Sequence, residues 1–217
     1  MTQYCSLKRT VDVGQASWPV FVLQERVGLL RTALPHWQPD GAALFLTWRL
    51  HGSLPRTVET LAHASGGKAF AAMDRELDRA ATGPRWLQDE RVARCVVDAL
   101  RYGEQPLGLY GLRAWVLMVN HVHLLLDPET QLARITKAIK NFSARQANAI
   151  LGRTGQPFWQ DETYDHWVRS ARESEKIVRY IEQNPVTAGL VNRAEGWRWS
   201  SAFGTREGQA RRPVPPA

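Results

Sequence analysis

His121 and His123 stand two apart in the run Trp115-Val116-Leu117-Met118-Val119-Asn120-His121-Val122-His123-Leu124-Leu125-Leu126. The run is apolar and rich in β-branched residues, which is the composition of a strand. Residues i and i+2 of a strand point to one face, so the two imidazoles would project side by side. At that spacing they can share a metal ion. Imidazole joined by an oxygen donor from an amide or a carboxylate suits a divalent cation with open positions. A tyrosine hydroxyl nearby would then have an electrophile to attack: a phosphate held on that ion. The competing reading is a pair of core histidines bonded to backbone carbonyls. Burying both without a task is costly, because each brings a donor and an acceptor that need partners.

A tyrosine with suitable company lies in Glu173-Ser174-Glu175-Lys176-Ile177-Val178-Arg179-Tyr180-Ile181-Glu182-Gln183-Asn184-Pro185-Val186. Ile177, Val178 and Ile181 fall at helical spacing with charged residues between them, the pattern of an amphipathic helix. Tyr180 and Asn184 are one turn apart, on nearly the same face. A nucleophilic phenol and an amide ligand could therefore face the same ion. The alternative is that the Tyr180 ring packs and Asn184 caps the helix end. Pro185 is expected to end the helix and to push Asn184 toward an extended backbone.

These residues need elements to hold them. Leu44, Leu46 and Trp48 alternate, which makes residues 42–50 a strand. Residues 56–80 look helical, interrupted around Ser65-Gly66-Gly67, and 87–102 form a second helical pattern with Val92, Cys95, Val96 and Leu100 on one side. Residues 106–119 and 121–126 read as a hairpin pair, tightened at Val119-Asn120. A long helix is expected over 130–151, a short strand over 163–168 and the tyrosine helix over 173–183. The order β, α, β, β, α, β, α is that of a ferredoxin-like (RRM-like) α+β sandwich, an antiparallel sheet with helices packed on it. Residues 1–42 read as an N-terminal extension with one short helix near 20–34, 43–203 as the domain that holds these elements, and 204–217 as a disordered tail.

The 130–151 helix carries a second pattern. Arg134, Lys137, Asn141, Arg145 and Asn148 fall on one narrow stripe at a hundred degrees per residue. Leu132, Ile135, Ile139, Phe142 and Ala149 fall on the adjoining face, expected to meet the core. A stripe of cations and amides can track a phosphate backbone while the amides reach bases, or it can be a solvated face.

The chain has 217 residues, 28 Lys+Arg against 21 Asp+Glu, and formal net charge +7. That length supports one domain with a real core, and that balance favours a polyanionic partner. Arginine outnumbers lysine, which suits bidentate phosphate contacts. Cys5 and Cys95 are far apart, give no disulfide framework and fit a reducing cytoplasm. No apolar run approaches a membrane span, and residues 1–18 lack a signal-peptide core. Nine tryptophans is a high number. Most are expected in packing, with at most one or two, from Trp159, Trp167, Trp197 and Trp199, free to stack unpaired bases.

The run Met118-Val119-Asn120-His121-Val122-His123-Leu124-Leu125-Leu126 resembles the His-hydrophobic-His motif of single-tyrosine transposases. Tyr180-Ile181-Glu182-Gln183-Asn184-Pro185-Val186-Thr187-Ala188-Gly189-Leu190-Val191 is similar to the catalytic-tyrosine helix of one branch, the REP-associated tyrosine transposases, bacterial proteins linked to repetitive extragenic palindromes. Phe45-Leu46-Thr47-Trp48-Arg49-Leu50, Phe158-Trp159-Gln160, Tyr164-Asp165-His166-Trp167-Val168-Arg169 and Trp197-Arg198-Trp199-Ser200-Ser201 extend the resemblance over about residues 43–203. One departure is Val119-Asn120 before the first histidine, where the family usually has Pro-Asn or Pro-Glu.

The resemblance implies a metal-dependent nuclease and strand transferase acting on single-stranded DNA with a hairpin. It assigns His121 and His123 as ligands of Mg²⁺ or Mn²⁺, Asn184 as the amide completing the metal site, and Tyr180 as the nucleophile that becomes linked to a 5′-phosphate. Tyr164 is the other candidate nucleophile, and only the resemblance prefers Tyr180. His166 is an accessory candidate that could orient the tyrosine, contact DNA or be structural. Arg134, Lys137, Asn141 and Arg145 become candidate DNA contacts. Relatives can work as dimers, so a homodimer joins the DNA among expected partners, and the bacterial cytoplasm at the nucleoid is the expected location. Two other readings use the same residues: a domesticated sequence-specific DNA-binding protein without transposition, and a metal-dependent hydrolase of a small phosphorylated substrate.

Overall fold

A computed structural model describes residues 41–55, 58 and 67–204. The expected N-terminal extension up to residue 40, its short helix, most of 56–66 and the tail from 205 lie outside the described residues. The described elements are β1 (Leu44–Arg49), α1 (Gly67–Arg79), α2 (Glu90–Glu104), β2 (Tyr110–Leu117), β3 (His121–Pro128), α3 (Leu132–Ile150), β4 (Tyr164–Trp167) and α4 (Ala171–Thr187). The four strands form one sheet in the order β2-β3-β1-β4, and every neighbouring pair is antiparallel. This is the ferredoxin-like arrangement expected from the element order.

The central strands explain the layering. All six residues of β1 are buried, and so are the first six of β3. A strand buried on both faces needs cover on both. Leu44, Leu46 and Trp48 of β1 and Val122, Leu124 and Leu126 of β3 pack with α2 and α3. Phe45 and Leu125, with Ala114, Val116 and Met118 of the β2 side, pack with Ile177 and Ile181 of α4 and Phe70 of α1. The sheet is thus sandwiched, α2 and α3 on one face and α1 and α4 on the other. His121 and His123 belong to the α1/α4 face. Beyond β2, Leu117 N–H donates to Trp199 O at 2.8 Å and Ser201 N–H to Trp115 O at 2.9 Å, so the chain near residue 200 covers that edge.

Four expectations change. β2 starts at Tyr110 instead of 106, because Pro106 has no N–H to give a ladder and Gly108 turns the chain at φ +59°. Pro185 does not end the tyrosine helix. It lies inside the last turn of α4, where one backbone bond is lost but Ala188 N–H still reaches Asn184 O at 2.9 Å. Asn184 is therefore helical and one true turn from Tyr180. Phe142 and Ala149 are exposed instead of core-facing, since the buried side of α3 centres on Ile135, Ile139, Ser143 and Ala147. Asn148 leaves the exposed stripe: it is buried, and its Nδ2 donates to Gln156 O at 2.7 Å.

Candidate active site

β3 begins at His121, directly after a tight reversal closed by Met118 N–H to His121 O at 2.9 Å. Strand alternation then aims His121 and His123 at the same face, and both are fully buried. Their Nε2 atoms lie 3.0 Å apart. Each ring is held from behind through Nδ1. Asn120 Nδ2 donates to Leu77 O at 3.0 Å, so Asn120 Oδ1 is the acceptor for His121 Nδ1 at 2.7 Å. That fixes the proton of neutral His121 on Nδ1 and leaves a lone pair on Nε2. His123 Nδ1 is 2.7 Å from the Thr47 hydroxyl, which can serve in either sense. With that proton also on Nδ1, two lone pairs face one point, which is what a cation attracts.

Two other segments converge on that point. Helix α1 contributes Asp74 and Asp78, one turn apart on one face. Asp74 Oδ1 is 3.3 Å from His123 Nε2, and Asp78 Oδ1 is 3.6 Å from His121 Nε2. Helix α4 contributes Tyr180, whose hydroxyl donates to Asp74 Oδ2, and Asn184, whose Nδ2 lies 3.3 Å from that hydroxyl and 3.4 Å from His123 Nε2. The Tyr180 and His123 rings meet at 5.4 Å between centroids.

This donor set fits a metal ion on physical grounds. Asp74 Oδ1, Asp78 Oδ1 and Asn184 Oδ1 are buried oxygens without a hydrogen-bond donor. Orphaned buried oxygens of this kind are costly unless something positive takes them. Asp74, His121 and His123 offer ligand atoms all within 4.8 Å of one another. Burial pushes Asp74 up to about 8 from the ordinary carboxylate range. Burial, followed by the Asp74 charge, pushes Asp78 up to about 8 as well. Burial holds His123 down to about 3 and holds His121 well below its ordinary value, with the facing His123 adding to the effect. Both rings are thus neutral, the form in which imidazole binds metal, and two carboxylates lack a cationic partner.

Other expected site residues are placed elsewhere. Tyr164 pairs with Thr47 across β1 and β4, and its ring stacks on Phe70 at 4.0 Å. His166 Nε2 bonds Glu173 Oε1 at 2.9 Å, tying β4 to the start of α4. Arg134, Lys137, Asn141 and Arg145 are exposed on α3, on the far side of the sheet from the histidines. Trp159 is buried and donates to Ser143 Oγ at 2.9 Å, and Trp197 Nε1 donates to Leu117 O at 2.8 Å, so neither indole N–H is free.

Sequence reasoning missed Asp74, Asp78, Asn120 and Thr47. The signal for the first two is the Asp-x-x-x-Asp spacing in Met73-Asp74-Arg75-Glu76-Leu77-Asp78. On an amphipathic helix rich in charge it is indistinguishable from a solvated face, yet Asp74 is 3% exposed. Asn120 belongs to the motif, but its task of holding His121 appears only in three dimensions.

Comparison with known proteins bears on this site. Residues 109–184 match the family model described as "Transposase IS200 like". No curated protein matches the sequence. Among solved structures, one of a REP-associated tyrosine transposase bound to a REP hairpin aligns at 18% identity and TM-score 0.49, over 78% of this chain and 82% of that one. Another, assigned as a transposase from Deinococcus radiodurans R1, aligns at 21% identity and TM-score 0.40, over 71% of this chain and 98% of that one. The segment similar to that family model runs from just before β2 to Asn184 and holds both histidines and the tyrosine.

Proposed function

We propose that the protein is a metal-dependent endonuclease and strand transferase of single-stranded, hairpin-bearing DNA, working through a 5′-phosphotyrosine on Tyr180. The observation that carries this reading is the meeting of β3, α1 and α4 at one buried point, where the Tyr180 hydroxyl rests on a carboxylate that itself lies against the facing histidines. A phenol packed for structure alone has no need of that company. Hairpins of repetitive palindromes enter through the motif likeness of the Tyr180–Val191 run to the REP-associated branch.

His121, His123 and Asn184 would hold the ion, with Asp74 beside them, and Mg²⁺ or Mn²⁺ suits a set this rich in oxygen. Once bound, the ion would supply Lewis-acid polarisation of the scissile phosphate. The remaining steps belong to side chains. The Tyr180 hydroxyl passes its proton to Asp74 Oδ2, and its oxygen forms a bond to phosphorus. The bond from phosphorus to the 3′-oxygen breaks, and that oxygen takes a proton from solvent. The strand end is kept as a phosphodiester to tyrosine, so a second 3′-hydroxyl can attack and rejoin without an outside energy source. Asn184 Nδ2 steadies the phenol oxygen throughout. His166 acts at a distance, through Glu173, by fixing where α4 starts. Arg134, Lys137, Asn141 and Arg145 would hold DNA that extends past the sheet to its far side.

The test is a 3′-labelled hairpin oligonucleotide incubated with the protein and Mn²⁺ or Mg²⁺. A covalent, denaturant-resistant protein–DNA band is expected, absent in EDTA. Binding without any adduct, on hairpins flanking the protein's own gene as well, would instead support the domesticated DNA-binding reading. A protein that shifts no single-stranded DNA on a gel would return the small-phosphate hydrolase reading.

A further inference from the structure

The α2/α3 layer carries an exposed aromatic surface that the site does not use. Tyr102 on α2 and Phe142 on α3 are 51% and 46% exposed, and Leu107 beside them is 48% exposed. The two rings are nearly parallel, at 13° and 6.4 Å between centroids. They border an apolar groove floored by Ala99, Ala138 and Ile139. Burying these rings would be favourable, so their exposure asks for an occupant.

The surroundings say which. Around the α3 axis, Arg145, Arg134 and Lys137 lie about 60°, about 80° and about 140° from Phe142, and Arg134 and Arg145 are about 16 Å apart along it. Arg134, Lys137 and Arg145 are exposed and form no ion pair among the described residues, unlike Arg79, Arg91, Arg113, Arg179 and Arg198. On α2, exposed Glu90 and Asp98 are outnumbered by exposed Arg91, Arg94 and Arg101. A second copy of this chain docking by the same surface would set these cations against each other. A partner that offers flat apolar faces on an anionic thread satisfies both features at once.

We propose that Tyr102 and Phe142 form a stacking ledge for unpaired bases of single-stranded DNA, whose phosphates run along Arg134, Lys137 and Arg145. The inference rests on the DNA partner of the proposed function and adds to it a base-contacting site, on the layer opposite the histidines. Stacking needs only a π-face, so the ledge tolerates any base and selects unpaired over paired strands. It would grip the single strand beside a hairpin while a different stretch reaches Tyr180.

The experiment compares Tyr102→Leu/Phe142→Leu with the parent in the full-length protein. The probes are one fluorescent hairpin oligonucleotide made blunt and made with an unpaired tail of about ten nucleotides, within the usual span of a single-strand site. Anisotropy is read in EDTA, so cleavage plays no part. Leucine keeps apolar bulk and removes the rings. Affinity for the tailed probe should fall about tenfold or more, as loss of base stacking predicts, with the blunt probe unchanged. Phe142→Trp should bind the tailed probe at least as well as the parent. Equal tailed affinity in the leucine variant would overturn the ledge while leaving the DNA reading intact. So would a leucine variant that keeps tailed affinity but dissociates a dimeric parent in light scattering, which would place a second copy there. A parent that binds neither probe would overturn the functional reading and the ledge with it.

Discussion

The Nε2 atoms of His121 and His123 face each other at 3.0 Å, each ring anchored from behind by a different residue. Two neutral imidazoles so arranged need a positive partner or a shared proton between them. With Asp74 and Asp78 alongside, the pair makes a pocket lined by ligand atoms from two elements. Changing both histidines to Ala should therefore abolish Mn²⁺-dependent cleavage and the rise in melting temperature that Mn²⁺ gives the parent, with circular dichroism unchanged. Undiminished cleavage by the double variant in Mg²⁺ would end the assignment.

The same pocket gives stability a pH signature. Burial raises Asp74 and Asp78 to about 8, lowers His123 to about 3 and lowers His121 well below its ordinary value. In the unfolded chain carboxyls titrate near ~4 and imidazoles near ~6.5. Between those two values the folded site keeps extra protons on its carboxyls and gives up as many from its imidazoles, so the linkage cancels. Between about 6.5 and 8 the unfolded imidazoles are already neutral and only the carboxyl excess remains. The folded state then binds more protons, so stability must fall as pH rises. Metal-free protein should lose melting temperature across that window, and Mn²⁺ should restore it increasingly toward pH 8, because binding displaces the carboxyl protons. A level melting temperature in EDTA from pH 6.5 to 8 would show carboxyls that ionise as they do in water.

Asn120 occupies a position that the motif marks but the sequence does not explain. Its Oδ1 accepts from His121 Nδ1–H while its Nδ2 donates to Leu77 O near the end of α1. Asn120→Ala should lower Mn²⁺ affinity by roughly 10–100-fold, the usual cost of losing a residue that orients a ligand. Calorimetric titration reads this directly. Asn120→Asp, which still accepts from Nδ1, should recover most of it. Equal loss in both variants would point instead to the tie with Leu77.

How much of this could be read beforehand follows the type of signal. Strand alternation gave the His121/His123 face, and helical spacing gave Tyr180 with Asn184, because both are local periodicities. The sheet followed from element order. The α1 carboxylates are hidden because burial of Asp74 depends on Phe70, one turn earlier in α1, meeting the distant Phe45 and Tyr164 rings of the sheet. Pro185 reads as a stop because no local rule separates a proline that ends a helix from one two residues before its end, where it costs little. The α3 stripe was legible as a pattern, but only the packing of Leu132, Ile135 and Ile139 shows that it faces away from the histidines.

That stripe can be tested by its salt dependence. Each cation neutralising a phosphate contributes about −0.7 to the slope of log affinity against log salt on single strands. Arg134→Gln/Lys137→Gln/Arg145→Gln should weaken binding and flatten the slope by up to about 2 units. The three positions are exposed, so the fold should be kept, and circular dichroism checks it. A triple variant with the parent's slope would leave the stripe a solvated face.

The contact between Tyr180 and Asp74 gives the sharpest test of mechanism. Tyr180→Phe deletes one oxygen, keeps the ring against His123 and Phe45, and should leave folding and DNA binding as they were. It should give no covalent band with the 3′-labelled hairpin. Tyr164→Phe should still give it, since the Tyr164 ring is spent on Phe70. Asp74→Asn separates two roles: it keeps the size of the side chain but takes protons poorly and binds metal weakly. If Asp74 accepts the phenol proton, adduct formation in Asp74→Asn should be slowed by roughly 10²–10⁴-fold, the range of general base catalysis. Saturating Mn²⁺ should not restore it, although it restores a variant damaged only in metal affinity. Full recovery at high Mn²⁺ would make Asp74 a ligand alone. A band that persists in Tyr180→Phe and vanishes in Tyr164→Phe would move the nucleophile to β4.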